Sequence, residues 1–114
     1  MADPVLLERH GDIAVIVLNR ADKLNALNKA MWTGVRDLAR QCSADATVRC
    51  VVLRGAGEKA FSPGADIAEF AAERADSRQA AAYGALMHET MGAIGDCVHP
   101  TVAMIHGLCV GGLA

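Results

Sequence analysis

The run Gly55-Ala-Gly-Glu-Lys-Ala-Phe-Ser-Pro-Gly-Ala-Asp-Ile67 constrains this chain more than any other stretch. It follows an apolar, β-branched run, Val48 to Leu53, that reads as a buried strand, and it precedes an Ala-rich helical region. Three glycines and a proline within ten residues specify a loop of fixed, unusual backbone shape. Pro63-Gly64 is a turn signal, and Ala65-Asp66 follow at the start of a helical turn. The first N–H groups of a helix have no partner inside it. The Ala65 N–H is therefore a candidate to face a ligand oxygen.

A second glycine turn, Ile105-His-Gly-Leu-Cys-Val-Gly-Gly-Leu-Ala114, follows the short apolar strand Thr101 to Ile105. In a parallel sheet, two such strand-to-turn units bring free N–H groups together at the carboxyl edge. Paired N–H donors aimed at one point are what stabilises a developing oxyanion.

The rest of the chain reads as support for these turns. Val5 to Arg9 and Ile13 to Leu18, separated by His10-Gly-Asp12, form a hairpin pattern. Asn19 to Asn28 is an Asn-rich loop, with Asn28 as N-cap of the next helix. Met31, Val35, Leu38, Ala39 and Cys42 recur at helical spacing, on a helix ending near Gln41. Ser43 to Thr47 then connects to the strand Val48–Arg54, giving a right-handed βαβ crossover. Asp76, with Gln79 three residues on, caps a second helix whose apolar face is Tyr83, Met87, Met91 and Ile94. His99-Pro100 marks its end.

With 114 residues, a single domain is expected. Lys plus Arg number 11 against 13 Asp plus Glu, which leaves no electrostatic footprint for nucleic acid or an anionic membrane. No apolar run approaches the ~20 residues of a membrane-spanning helix. Cys42, Cys50, Cys97 and Cys109 show no CxxC spacing. With no secretory signal pattern, they read as reduced thiols in a cytoplasmic protein. The chain stops where a helix should cover the second turn, so residues 1–114 are expected to be the N-terminal part of one larger domain.

Other motifs carry less. Gly55-x-Gly57-x-x-Ala60 matches a dinucleotide fingerprint, but Phe61-Ser-Pro-Gly64 breaks the helix that fingerprint requires. His88-Glu89 has Gly92 where a zinc-binding motif needs a second His, so no metal is expected. Ser62 lacks a base and reads as a loop hydroxyl bonded to its own backbone. Cys109 reads as a small filler, and His106 as a hydrogen-bonded residue at a strand end. Asp66 complements a helix dipole. Lys23, Lys59 and Arg20 are candidates either to meet phosphates or simply to be solvated.

Three segments together resemble the enoyl-CoA hydratase/isomerase (crotonase) family: Asn19-Arg-Ala-Asp-Lys-Leu-Asn-Ala-Leu27, Ala60-Phe-Ser-Pro-Gly-Ala-Asp-Ile67 and Ile105-His-Gly-Leu-Cys-Val-Gly-Gly112. Ala21 stands where the family usually has proline, and Leu113 where it has a third glycine. The resemblance implies an α/β, crotonase-like β–β–α superhelix, here ending after the second oxyanion turn. It implies an acyl-CoA thioester substrate with no cofactor beyond its coenzyme A, and assembly as homo-trimers or hexamers. The backbone N–H groups of Ala65 and Gly112 would hold the thioester oxygen. Lys23, Leu24 and Ala26 would line the CoA channel, and the backbone from Ala65 through Asp66 and Ile67 to Ala68 would recognise adenine. The acid and base glutamates of family hydratases fall after the second glycine turn, at positions that Glu58, Glu69, Glu73 and Glu89 do not match. Residues 1–114 alone are thus expected to lack hydratase activity.

Overall fold

A computed structural model describes residues 3–73 and 75–111. Strands β1 (Val5–His10) and β2 (Ile13–Leu18) form an antiparallel hairpin. Helix α1 (Lys29–Ala44) then crosses over the sheet, and β3 (Cys50–Gly55) returns parallel to β2. A short strand β4 (Ala60–Ser62) leads to helices α2 (Ile67–Ala72) and α3 (Ser77–Gly95). Strand β5 (Thr101–Met104) lies parallel to β3, and β6 (Leu108–Cys109) lies parallel to β4. The main sheet has the order β1-β2-β3-β5, while β4 and β6 form a separate pair.

The crossover and hairpin follow from side-chain pattern. Ala14, Ile16 and Leu18 alternate on β2 toward a core shared with Met31, Trp32, Val35, Ala39 and Cys42, which share one face of α1. Burying each larger aliphatic side chain there contributes about 1.5–3 kcal/mol. The Asn28 side chain accepts from the Met31 N–H at 2.9 Å, which caps α1 as expected and is worth about 1 kcal/mol. Asp76 accepts from the Gln79 N–H at 2.8 Å and caps α3. Thr90 of α3 donates its hydroxyl to the Trp32 carbonyl of α1 at 2.8 Å, fixing one helix on the other.

Several boundaries differ from the pattern-based expectation. Helix α1 continues past Gln41 to Ala44, because no breaker stands there and Cys42 still faces the core. Strand β3 begins at Cys50; Val48 is buried, but its N–H turns back to the Asp45 carbonyl. On α3, Tyr83 is buried as expected while Met91 is 39% exposed. The central glycine run also contains a strand, β4, which its loop-like composition conceals.

Candidate active site

Two successive strand–turn–strand units lie side by side. The first is β3 to β4, the second β5 to β6, and each strand of the second runs parallel to its counterpart in the first. The Leu108 N–H donates to the Lys59 carbonyl and the Val110 N–H to the Ser62 carbonyl, both at 3.1 Å. This ladder carries the chain directly into the two glycine turns. Gly111 has φ of 83°, and a Cβ placed on it would lie 2.9 Å from the Gly64 Cα and 3.0 Å from the Pro63 oxygen. No residue with a side chain fits there without pushing the turns apart. The two glycine turns therefore pack against each other at Gly111 and Gly64. Gly112 lies outside the described residues.

Asn25 holds the first turn from behind. It is fully buried and has φ of 64°, a left-handed conformation that Asn tolerates better than most residues. Its Oδ1 accepts from the Arg20 N–H, and its Nδ2 donates to the Ala56 and Ala60 carbonyls, all at 3.0 Å. Its own carbonyl accepts from the Ser62 hydroxyl at 2.9 Å, and the Ser62 Oγ accepts from the Gly64 N–H at 3.0 Å. Ser62 thus bonds its own loop, as expected, and ties it to Asn25 as well. That leaves its hydroxyl no part as a nucleophile.

The bonds around Ala65 show which amide is available. Leu27 donates its N–H to the Gly64 carbonyl at 2.8 Å and accepts from the Asp66 N–H at 2.9 Å. Ala65 is the residue bracketed by this parallel bridge, so its own N–H points away from Leu27. Among the described residues it donates to no carbonyl.

Asp66 is more heavily committed than the resemblance implies. Its carboxylate accepts from the Ala68 and Glu69 N–H groups, capping α2, and from Arg20 Nη1 at 2.8 Å. The Arg20 hydrogen bond first, and the Glu69 N–H next, hold its carboxyl below the usual range. Its backbone carbonyl accepts from the Phe70 N–H. The backbone N–H groups of Asp66 and Ala68 are engaged internally, so these two amides are not free for adenine.

Lys23, Ala26, Pro63, Ala65, Asp66, Ile67 and Ala68 line one cavity of about 220 Å³. Six of the seven residues chosen from sequence as substrate contacts are thus gathered around a single space. The seventh, Leu24, lines a second cavity of about 320 Å³ with Asn25, Gly57 and Lys59. Lys23 is exposed and has no ion-pair partner among the described residues. Arg20 is paired with Asp66. Glu69 accepts from the Lys29 N–H and Glu73 pairs with the Lys29 ammonium, which fastens α2 to the start of α1. His106 bonds the Gly57 carbonyl through Nε2 at 2.9 Å, joining the two strand–strand connections. No metal-binding cluster exists among the described residues.

By sequence alone, Asn25 reads as one of several local loop residues and Arg20 as a phosphate candidate. Both bond across long stretches of chain, to Ala56, Ala60 and Asp66. The available signal was their place inside the Asn19–Leu27 segment, without any indication of their partners.

A sequence model described as enoyl-CoA hydratase/isomerase matches residues 13–113. The chain is 37% identical over 97% of its length to human mitochondrial 3-hydroxyisobutyryl-CoA hydrolase, of which it spans 29%. It is 31% identical over 95% of its length to crotonyl-CoA hydratase of Syntrophomonas wolfei, of which it spans 41%. The crystal structure of an enoyl-CoA hydratase/carnithine racemase from Magnetospirillum magneticum superimposes with a TM-score of 0.92 at 46% identity. That match covers 98% of this chain and 42% of the other.

Proposed function

This chain belongs to the enoyl-CoA hydratase/isomerase family and has its crotonase fold, and from that premise we propose that it takes an acyl-CoA thioester. The thioester oxygen is held by the backbone N–H groups of Ala65 and Gly112, and the CoA moiety runs along Lys23, Leu24 and Ala26 and the segment Ala65–Ala68. In the whole enzyme the reaction is addition of water across the double bond of a 2-enoyl-CoA. Hydroxide adds at the β carbon, negative charge moves to the thioester oxygen as an enolate, and a proton then reaches the α carbon. Two N–H donors serve this path because they meet charge that builds only as the bond forms; loss of one such donor costs about 2.7–4 kcal/mol in barrier. Coenzyme A enters as part of the substrate, and cytoplasmic placement and trimeric or hexameric assembly belong to the same reading.

The observation that carries this reading is the contact of Gly111 with Pro63 and Gly64, beside an Ala65 N–H without a carbonyl partner among the described residues. Three of the described glutamates support placing the acid and base elsewhere. Glu69 and Glu73 bond Lys29, and Glu89 bonds Arg36 and Arg40. Acyl-CoA hydrolysis is a second reading, favoured by the 37% identity to a hydrolase. It uses the same two amides on a tetrahedral oxyanion.

The test follows loss of the conjugated enoyl absorbance of 2-butenoyl-CoA, alongside release of free CoA thiol, by a full-length protein carrying this sequence. Loss of absorbance without thiol release supports hydration, and thiol release supports the second reading. Replacing Ala65 with Pro removes the donor and should depress either reaction at least a hundredfold; undiminished turnover refutes the oxyanion assignment.

A further inference from the structure

Arg20 joins the two walls of the 220 Å³ cavity. One wall is the loop that carries Lys23 and Ala26; the other runs from Pro63 to Ala68. A single guanidinium nitrogen, Nη1, donates to the Ala26 carbonyl at 3.0 Å and to the Asp66 carboxylate at 2.8 Å. Among the described residues it is the one ion pair that links these walls. Both side chains are mostly shielded, at 22% and 20% exposure, so solvent and salt screen the pair only in part. The Arg20 backbone is fixed as well: its N–H is held by the Asn25 side chain, and its carbonyl accepts from the Lys23 and Asn25 N–H groups.

We propose that Arg20 is a positioning residue for the bound CoA, bracing the Ala26 and Asp66 walls beside the Leu27 backbone bridge rather than pairing with phosphate itself. This deepens the acyl-CoA reading and rests on it. The charge balance fits: the Arg20 cation already faces a carboxylate, whereas Lys23 on the same loop has no acidic partner among the described residues. An anionic group in this cavity meets Lys23 as the uncommitted cation. The geometry requires Arg in particular, because the two hydrogens on one planar Nη1 diverge at a fixed angle toward two acceptors. A Lys ammonium supplies charge without that plane.

Calorimetric titration of a full-length protein carrying this sequence with free CoA separates these roles. Arg20→Met and Asp66→Asn should each weaken binding about tenfold, since each removes a charge-assisted hydrogen bond. Arg20→Lys should recover part of that loss. Asn caps helices as well as Asp, so Asp66→Asn keeps the test open if Arg20→Met fails to fold. Lys23→Ala should flatten the dependence of affinity on salt, while Arg20→Met should leave that slope unchanged. Folded Asp66→Asn and Arg20→Met proteins that bind within twofold of the unaltered chain would overturn the proposal. So would a salt slope in Arg20→Met as flat as in Lys23→Ala, because Arg20 would then be meeting phosphate directly. Absence of any CoA binding by the unaltered full-length protein would remove the acyl-CoA reading, and this inference with it. Equal binding by the unaltered and altered chains removes only the inference.

Discussion

Gly111 and Gly64 meet backbone to backbone, with room of only 2.9 Å between the Gly64 Cα and any Cβ that Gly111 might carry. The contact locks the second glycine turn against the first at the residue just before Ala65. Gly111→Ala should therefore separate the turns, and the positive φ at this position adds to the cost. The expected loss is about 1–3 kcal/mol of stability, with a larger proportional loss of acyl-CoA affinity. Thermal melts together with titration of a saturated acyl-CoA check both; unchanged affinity in a folded variant would mean the turns are not coupled at the site.

Asn25→Ala should be among the most damaging single changes outside the aliphatic core. It strands the Arg20 N–H and the Ala56 and Ala60 carbonyls, of which the Ala60 bond is fully buried. At about 1 kcal/mol for each bond lost, and more where a partner stays buried, the expected cost is roughly 3 kcal/mol. Asn25→Gly relieves the left-handed backbone yet keeps the same polar deficit, so it should recover well under half. Denaturant unfolding of the two variants measures the difference.

Acid should weaken the fold through Asp66. Its folded pKa lies below the ordinary 3.8, so its contribution is complete above that value. It disappears as pH falls from there through the lower folded value, because the unfolded chain takes up the proton first. Asp45, held down chiefly by the Thr47 hydroxyl, acts in the same direction. Stability of the unaltered chain should decline more steeply below pH 3.8 than that of Asp66→Asn. Parallel curves for the two proteins would show that the Arg20–Asp66 pair does not contribute through this proton.

Strand β5 predicts self-association. It ends the main sheet with one edge unpaired among the described residues, and all four of its residues are exposed. Val98, Val102, Met104, Ile105, Leu108 and Val110 extend an apolar surface around it. Open edges of this kind pair with other chains. Sedimentation of residues 1–114 should show mass rising with concentration, and Val102→Lys should reduce it; a monomer at all concentrations would contradict this.

Legibility from sequence tracks how local the cause is. The hairpin, the Asn28 and Asp76 caps and the start of the crossover helix depend on neighbours within a few residues, and all are present, though that helix runs three residues past its expected end, to Ala44. The two glycine turns were legible because glycine and proline restrict backbone wherever they occur. Strands β4 and β6 were not, since three and two residues are too short for any alternation to register. The Arg20–Asp66 and Asn25–Ala60 links join segments distant in sequence, and composition carries no information about such pairings. Asp66 shows the limit most clearly: its role as a cap was readable, while its engagement by Arg20 appears only in the folded chain.

The junction between the glycine turns is made of atoms that every amino acid shares. A conventional alanine scan would therefore pass over Ala65 without a signal, and would report Gly111 as a packing defect. Ester-for-amide replacement, which deletes one hydrogen and leaves the outline intact, is the chemistry that would interrogate such a place directly.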